Sequence, residues 1–427
     1  MKKVGVAILG LGVVGGGTYK ILTEHREEYK RTHKIDVTVE NVLELRKERA
    51  LELGIEESKI ADNMAVICSN PEVEIVIEVM GGVEPAKTFV LAALNAGKSV
   101  VTSNKELYCK FGHELEKAAI KNHCGLFYEA SCVGGVPVIR ALLDNLQGNK
   151  ILSMTGIVNG TTNYILTKMS KEGASYGDVL KEAQKLGYAE ADPTSDVEGY
   201  DATYKLSILS SLAFHTKIPY TKIYREGISG ISVADIGYGK KMGYVIKLLA
   251  IGKNGDNGIE VRVHPAFIRA DHPLASVNDS YNAVYLTGDC VEDVMLYGRG
   301  AGALPTGSAI VGDIIYCATH TNYRYSTFVN TAEAAPNTKF IENFESSYYI
   351  RLDAANRTGV LAKVTSIFSR CGINVAQMVQ EDAHDGSTVP VIFITNKTKE
   401  HSVNKAVTEL NAIPEIAKVA SVIRVVD

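Results

Sequence analysis

The sequence predicts an α/β protein in three parts: a doubly wound parallel Rossmann-type sheet, an α+β middle domain, and a C-terminal βαββαβ unit of ferredoxin-like order. Three observations carry this reading. Strand and helix patterns alternate from Val4 to Tyr128, the rhythm of a parallel sheet covered on both faces. The alternation breaks after Gly134-Gly135-Val136-Pro137. A fresh β-α-β-β-α-β order then starts at Tyr348, which is the split ferredoxin-like unit.

Val4 to Leu9 is a β-branched and aliphatic run ending in Gly10-Leu11-Gly12-Val13-Val14-Gly15, after which Thr18, Ile21 and Leu22 recur at helical spacing. A second strand fits Val37 to Leu45, and Val73 to Val79 reads as a buried apolar strand. A helix from Pro85 to Ala96 stops at Gly97, followed by a strand Ser99 to Thr102, a helix Glu106 to Lys121 and a strand Gly125 to Tyr128. Beyond the break, an apolar helix runs through Leu206, Leu209 and Leu212, and the glycine-rich stretch Gly298 to Gly312 leads into another helix. In the tail, strands fit around Tyr349-Arg351-Asp353, Asn374 to Gln380, Thr388 to Thr395 and Val419 to Val425. Helices fit the Val360–Phe368 face and His401 to Leu410. The expected division is 1–135, completed by 303–328, for the first domain; 136–302 for the second; a linker 329–346; and 347–427 for the last.

With 427 residues, several domains are expected. The balance of 45 basic against 49 acidic side chains leaves no global positive field for nucleic acid or an anionic membrane surface. No apolar stretch has the roughly 18–20 residues of a spanning helix. Lys2 and Lys3 before an apolar run imitate a secretory signal, but the glycines from Gly5 to Gly17 and the helical segment after them do not fit one. Seven cysteines without a Cys-x-x-Cys pair read as reduced thiols of a cytoplasmic protein.

The glycine turn is the first chemical motif. Gly10 permits the turn, Gly12 lets backbone approach a pyrophosphate, and Gly15 lets helix and strand pack, the Rossmann-type fingerprint of NAD or NADP binding. Glu44 favours the ribose of NAD, whereas Arg46 and Lys47 suit the phosphate of NADP, and the choice stays open. Lys105 follows a strand whose end faces the ligand crevice. Downstream, Gly187 to Pro193 precedes Asp196, Asp201 and Lys205. Asp201 and Lys205 share a helix face that is otherwise apolar, and a lysine there demands a carboxylate partner. Asn159-Gly160-Thr161-Thr162-Asn163 offers amides and hydroxyls to a small polar substrate.

As a set, Gly10–Gly15, Thr102-Ser103-Asn104-Lys105, Asn159–Asn163, Leu186–Pro193 and Gly199–Leu206 resemble homoserine dehydrogenase over almost the whole chain. Asn356-Arg357-Thr358-Gly359-Val360-Leu361-Ala362 and Gly372-Ile373-Asn374-Val375 resemble an ACT regulatory domain. The resemblance implies NAD(P)H-dependent reduction of aspartate 4-semialdehyde to homoserine by a homodimer or homotetramer, with 136–302 as the α+β catalytic, substrate-binding and dimerisation domain. Lys205 would be the proton donor, with Lys105 and Asp201 beside it in the catalytic set. Glu190, Asp196, Asp201, Gly187, Asn159 and Thr161 would hold the substrate. Gly10, Leu11, Gly12, Val13, Val14, Gly15, Arg46, Lys105 and Gly307 would meet the cofactor. A monovalent cation, Na or K, would lie near Glu129, Cys132, Gly134 and Val136. An amino-acid effector, threonine by analogy, would meet Asn356, Gly359, Val360, Leu361 and Asn374.

Two other readings compete. Cys132 follows a strand facing the crevice and would serve an acylating semialdehyde dehydrogenase as nucleophile. A nucleotide- and amino-acid-sensing regulator would leave the carboxylate–lysine cluster without a task.

Overall fold

Val4, Val6, Ala7, Ile8 and Leu9 are wholly buried, so the first strand lies inside its sheet rather than at an edge. The computed structural model describes residues 1–320, 332–380 and 388–426. Strands β1 (Lys2–Leu9), β2 (Ile35–Leu43), β3 (Val73–Glu78), β4 (Ser99–Thr102) and β5 (Leu126–Phe127) form a parallel sheet in the order β2-β1-β3-β4-β5. The order reverses between β1 and β3, and a crevice opens there at the carboxyl ends of the strands. Helix Val13–Glu24 packs on one face of this sheet; helices Ala86–Asn95 and Lys105–Lys121 lie on the side of the larger core. Helix Ala303–Thr319 returns to cross Val13–Glu24, where Gly307 sits against the backbone of Gly17 and Thr18.

One element departs from its sequence pattern. The stretch 73–79 is not apolar throughout: Glu74 is exposed and Glu78 is fully buried. Its carboxylate accepts the Thr102 hydroxyl at 2.6 Å and the Met80 amide at 2.9 Å, tying the ends of β3 and β4 together at the crevice.

The middle of the chain carries more sheet than its periodicity suggests. β6 (Ile151–Ile157), β7 (Tyr224–Arg225), β8 (Tyr244–Gly255), β9 (Gly258–Arg269), β10 (Tyr281–Gly288) and β11 (Glu292–Arg299) belong to an 11-stranded mixed sheet. Helices Gly160–Glu172 and Tyr200–Ala213 cover one face. A smaller cluster with Leu249, Ile251, Ala266 and Ile268 fills the other. β8 reads as a near-continuous hydrophobic run because both its faces are covered, whereas β9 alternates Ile259, Val261 and Val263 with Glu260, Arg262 and His264 and buries both sets.

The C-terminal unit has β12 (Glu345–Ala355), helix Val360–Arg370, β13 (Val375–Gln380), β14 (Thr388–Thr395), a two-residue β15 (Thr398–Lys399), helix Glu400–Asn411 and β16 (Ile416–Val426). It does not hang from the rest as a separate module. β16 pairs in parallel with β9 through Arg424–Ala266, Val425–Phe267 and Val426–Ile268, so one sheet runs through both units in the order β11-β10-β6-β8-β9-β16-β12-β14-β13. The end of the expected linker is tied down: Ile259 donates to the Lys339 carbonyl, Ile341 donates to the Ile259 carbonyl, both at 2.8 Å, and Phe344 is buried. Residues 321–331, at the end of the 303–328 return and the start of that linker, lie outside the described residues. All seven cysteines are free thiols. Among the described residues, no helix is long and apolar enough to cross a membrane.

Candidate active site

Asn159 ends the segment after β6 and caps helix Gly160–Glu172, its Oδ1 accepting the Thr162 amide at 2.9 Å. That fixes its amide with the NH2 pointing the other way, where it donates to Asp196 Oδ1 at 2.7 Å and Asp201 Oδ2 at 2.9 Å. Asp201 lies in the first turn of helix Tyr200–Ala213, which starts at Gly199 with a left-handed φ of 79°. Lys205, one turn later, is buried and donates to Asp201 Oδ2 at 2.6 Å and to the Val158 carbonyl at 2.8 Å. An ammonium has three donors, so one remains for the cleft.

Lys105 comes from the other domain. It opens helix Lys105–Lys121, capped by Asn104 through the Leu107 amide, and its Nζ stands 3.0 Å from Asp201 Oδ1. One carboxylate therefore holds two ammoniums from two domains. Burial alone would push the Asp201 carboxyl up, but Lys205 and Lys105, with Asn159, hold it far below the usual range. Asp201 in turn raises the Lys105 ammonium above its ordinary value. Asp196 goes the opposite way: burial, and then the charge of Asp201, push its carboxyl up.

These groups line a cleft of about 620 Å³ between the domains, together with Val13, Val14, Ala130, Ser131, Gly134, Thr161, Gly187 and Tyr188. The size suits a small substrate beside part of a nucleotide. Thr161 braces the far wall by donating to the Tyr188 carbonyl at 2.6 Å. The sequence reading missed Ser280, Arg299, Gly300, Ala301, Pro305 and Thr306, which also line the cleft; the glycine-rich stretch from Gly298 was the signal that contained most of them.

The glycine turn passes a physical test for dinucleotide. Gly10 has φ 90°, a Cβ on Gly15 would run into the Gly10 carbonyl, and a Cβ on Gly12 would meet nothing, which leaves the backbone open to a pyrophosphate. Glu44 accepts the Leu11 amide at 2.7 Å and the Arg46 amide at 3.0 Å, while the Arg46 side chain is mostly exposed. Gly307 is one residue beyond the cleft wall, at the helix crossing.

Other expected residues fall elsewhere. Glu190 is exposed on its loop and does not line the cleft. The Glu129 carboxylate accepts the amides of Ile139 at 2.9 Å and Arg140 at 2.6 Å, and the Val136 carbonyl accepts the Val138 amide at 2.8 Å. Among the described residues, no group of three acidic, thiol or imidazole side chains is placed to hold a metal. Cys132 is fully buried, and burial pushes its thiol up to about 12, which removes the thiolate that an acylating nucleophile needs. In the C-terminal unit, Gly359 caps helix Val360–Arg370 with φ 90° and Val360 is buried, while Asn356 and Asn374 are exposed. Ala355 pairs with Thr388, whereas Val375 pairs with Thr395 beside the level of Tyr349. At ~3.4 Å per residue, Asn356 and Asn374 stand about 20 Å apart, at opposite ends of the sheet.

A doubly wound nucleotide fold feeding a cleft of two lysines and two carboxylates defines a nicotinamide-nucleotide-dependent oxidoreductase. Comparison with known proteins gives the particular family. Residues 137–315 match the family described as homoserine dehydrogenase, 10–129 its NAD binding domain, and 348–415 the ACT domain. Homoserine dehydrogenase of Bacillus subtilis is 37% identical over 430 residues, covering 100% of this chain and 99% of the relative. The crystal structure of a homoserine dehydrogenase from Thiobacillus denitrificans superposes with a TM-score of 0.93 at 39% identity, covering 100% of this chain and 99% of that one. A hyperthermophilic archaeal homoserine dehydrogenase in complex with NADPH superposes with a TM-score of 0.63 at 29% identity, covering 74% of this chain and 97% of that one. The chain belongs to the homoserine dehydrogenase family, with a C-terminal ACT domain.

Proposed function

We propose that Lys205 is the acid that protonates the carbonyl oxygen of aspartate 4-semialdehyde as it is reduced to homoserine. The observation that carries this is the buried Lys205 ammonium, held by Asp201 and the Val158 carbonyl with one donor left toward the cleft. Negative charge grows on that oxygen during reduction, and an ammonium aimed at it stabilises the charge and delivers the proton. The bound reduced nicotinamide supplies the hydride. Asp201 aims Lys205 and draws Lys105 to the same side, so the domains meet around one carboxylate. The α-ammonium of the substrate suits Asp196, whose charge is otherwise disfavoured by Asp201. Glu190, on the loop that contributes Gly187 and Tyr188, would join as that loop covers the substrate. Asn159 and Thr161 position the acids and the loop.

The glycine turn, with Leu11, Val13 and Val14, would hold the dinucleotide pyrophosphate. For the adenosine end we favour NADP over NAD: Glu44 is already engaged by two amides, and the exposed Arg46 side chain, 3.9 Å from Glu44, is at hand for a ribose phosphate. The NADPH complex of the archaeal relative agrees with that choice. Glu129 and the carbonyls of Cys132, Gly134 and Val136 would together hold Na or K, since an oxygen that accepts one hydrogen bond keeps a lone pair for a cation, and such a cation would brace this turn without entering proton transfer. The separation of Asn374 from the Asn356–Leu361 turn supports an amino-acid effector, threonine by analogy, bound between two copies of the ACT domain. The protein would then act as a homodimer or homotetramer. Reduced thiols fit a cytoplasmic enzyme. Initial rates with aspartate 4-semialdehyde and NADH or NADPH, with and without threonine, test these points together; no oxidation of either nucleotide would refute the function.

A further inference from the structure

A short strap, Tyr224 to Ile228, lies between the ACT domain and the acids of the active site. On one side, Arg424 of β16 is buried, with Nη1 2.5 Å from Glu226 Oε2, Nη2 2.8 Å from the Tyr224 hydroxyl, and its guanidinium 4.8 Å from the Tyr224 ring centre. Glu400, in the ACT domain's second helix, takes the rest of that guanidinium through both carboxylate oxygens. On the other side, the strap grips the turn 197–200. Ile228 donates to the Val197 carbonyl at 2.8 Å, Arg225 donates to the Glu198 carbonyl, and the Arg225 guanidinium lies 3.5 Å over the Tyr200 ring. Gly227 lies so close to Val197 and Glu198 that a Cβ would collide with both. That turn has Asp196 before it and Asp201 after it. The strap itself stays outside the cleft.

We propose that Arg424 and Arg225 are positioning residues for Asp196 and Asp201, joined through Glu226, so that the last strand of the ACT domain helps to set the substrate-binding acids. The proposal rests on the reading of those acids as holders of the substrate's ammonium. A guanidinium held by two carboxylates and an aromatic ring has a defined geometry, and the strap is also held to β9, where Tyr224 and Arg225 pair with Arg262 and Val263 and the Glu226 amide donates to the Val263 carbonyl at 2.8 Å, so the Arg424 end and the turn are joined through a short, fixed segment. Any displacement of β16 then changes substrate affinity first and leaves the glycine turn untouched.

The test uses the full chain with Arg225→Met, Arg225→Lys, Glu226→Gln and the Arg225→Met/Glu226→Gln pair, each checked for a native thermal melt. Hydrogen exchange of amides 194–202 is read without substrate, and kinetics with aspartate 4-semialdehyde are read beside it. The expected result is exchange at least threefold faster in that window for both Glu226→Gln and Arg225→Met. KM for the semialdehyde should rise about tenfold with little change in the nucleotide KM, and Arg225→Lys should recover part of the loss. The pair should cost no more than the larger single change, because both break one chain of contacts. Unchanged exchange in Glu226→Gln would overturn the proposal whatever the enzyme turns over. Equal rises in both KM values, or full additivity, would reduce the strap to a general stabiliser and overturn it too. Changed exchange with no turnover of semialdehyde by the unmodified chain would instead refute the function proposed above while leaving the mechanical link in place.

Discussion

Asp201 and Lys205 meet at 2.6 Å on one turn of a buried helix, and the second oxygen of the same carboxylate reaches Lys105 from the nucleotide domain at 3.0 Å. A single acid thereby sets the direction of the proposed proton donor and marks how closely the two domains approach.

Asp201→Asn should lower kcat by about 10–100-fold, because Lys205 loses the partner that aims it. It should also destabilise the fold by about 3 kcal/mol, since two ammoniums would then face each other across a neutral group. Steady-state kinetics and urea unfolding at neutral pH check both. Wild-type kcat in a folded Asp201→Asn protein would remove the orienting role.

Asn159→Ala should cost about 1 kcal/mol from loss of the helix cap. It should also raise the semialdehyde KM by about tenfold, as both Asp196 and Asp201 lose the amide between them. Thermal melts and kinetics separate the two effects. Unchanged KM with lowered stability would leave Asn159 a cap and nothing more.

Cys132→Ala should keep more than half of the wild-type turnover while losing about 1–2 kcal/mol of stability, the effect of a small cavity around a fully buried side chain. Iodoacetamide should leave Cys132 unmodified in the folded protein. Abolished turnover, with a need for phosphate, would restore the acylating reading.

Stability should fall as pH rises from about 5 to 9. Burial, then the charge of Asp313, pushes the Glu129 carboxyl from 4.5 up to about 8; burial likewise pushes Asp313 up to about 6. An acid with a raised folded pKa holds its proton more tightly when folded. Its contribution is full below the unfolded value and is lost as pH climbs through the folded one. Asp201, with a lowered pKa, changes stability only in acid below about pH 4, outside this window. Urea unfolding across the range should show a shallower decline in Glu129→Gln than in the wild type; identical slopes would contradict the assignment.

Much of this was legible in the residues. The glycine turn between Leu9 and Val13 marks the crevice because its spacing answers to one physical need, the approach of backbone to phosphate. Asp201 and Lys205 are legible because four residues on a helix face one way, and an apolar helix leaves an ammonium little choice of partner. The Lys105–Asp201 pair was not, since no periodicity reports which strand end faces which helix across two domains. Glu78 stands in plain view among Val73 to Val79; what the residues do not show is that it is buried, with the Thr102 hydroxyl and the Met80 amide as its partners. β8 was passed over because a strand covered on both faces loses the alternation that announces it, whereas β9 does alternate, and its Glu260, Arg262 and His264 look like solvated residues although they are buried. The junction of β16 with β9 is invisible for a related reason: parallel pairing between distant segments leaves no local trace, and a stretch poor in bulky groups, as at 329–346, reads as a tether although Phe340 and Phe344 pin its end.

In the proposed reaction everything turns on the Lys205 ammonium serving the carbonyl oxygen. The most direct measurement of this is kcat for aspartate 4-semialdehyde reduction in Lys205→Ala, at saturating substrate and nucleotide, with nucleotide binding measured in the same preparation. The variant should lose about 10²–10⁴-fold in kcat with nucleotide affinity retained; turnover within a few-fold of wild type would mean that another group protonates the oxygen.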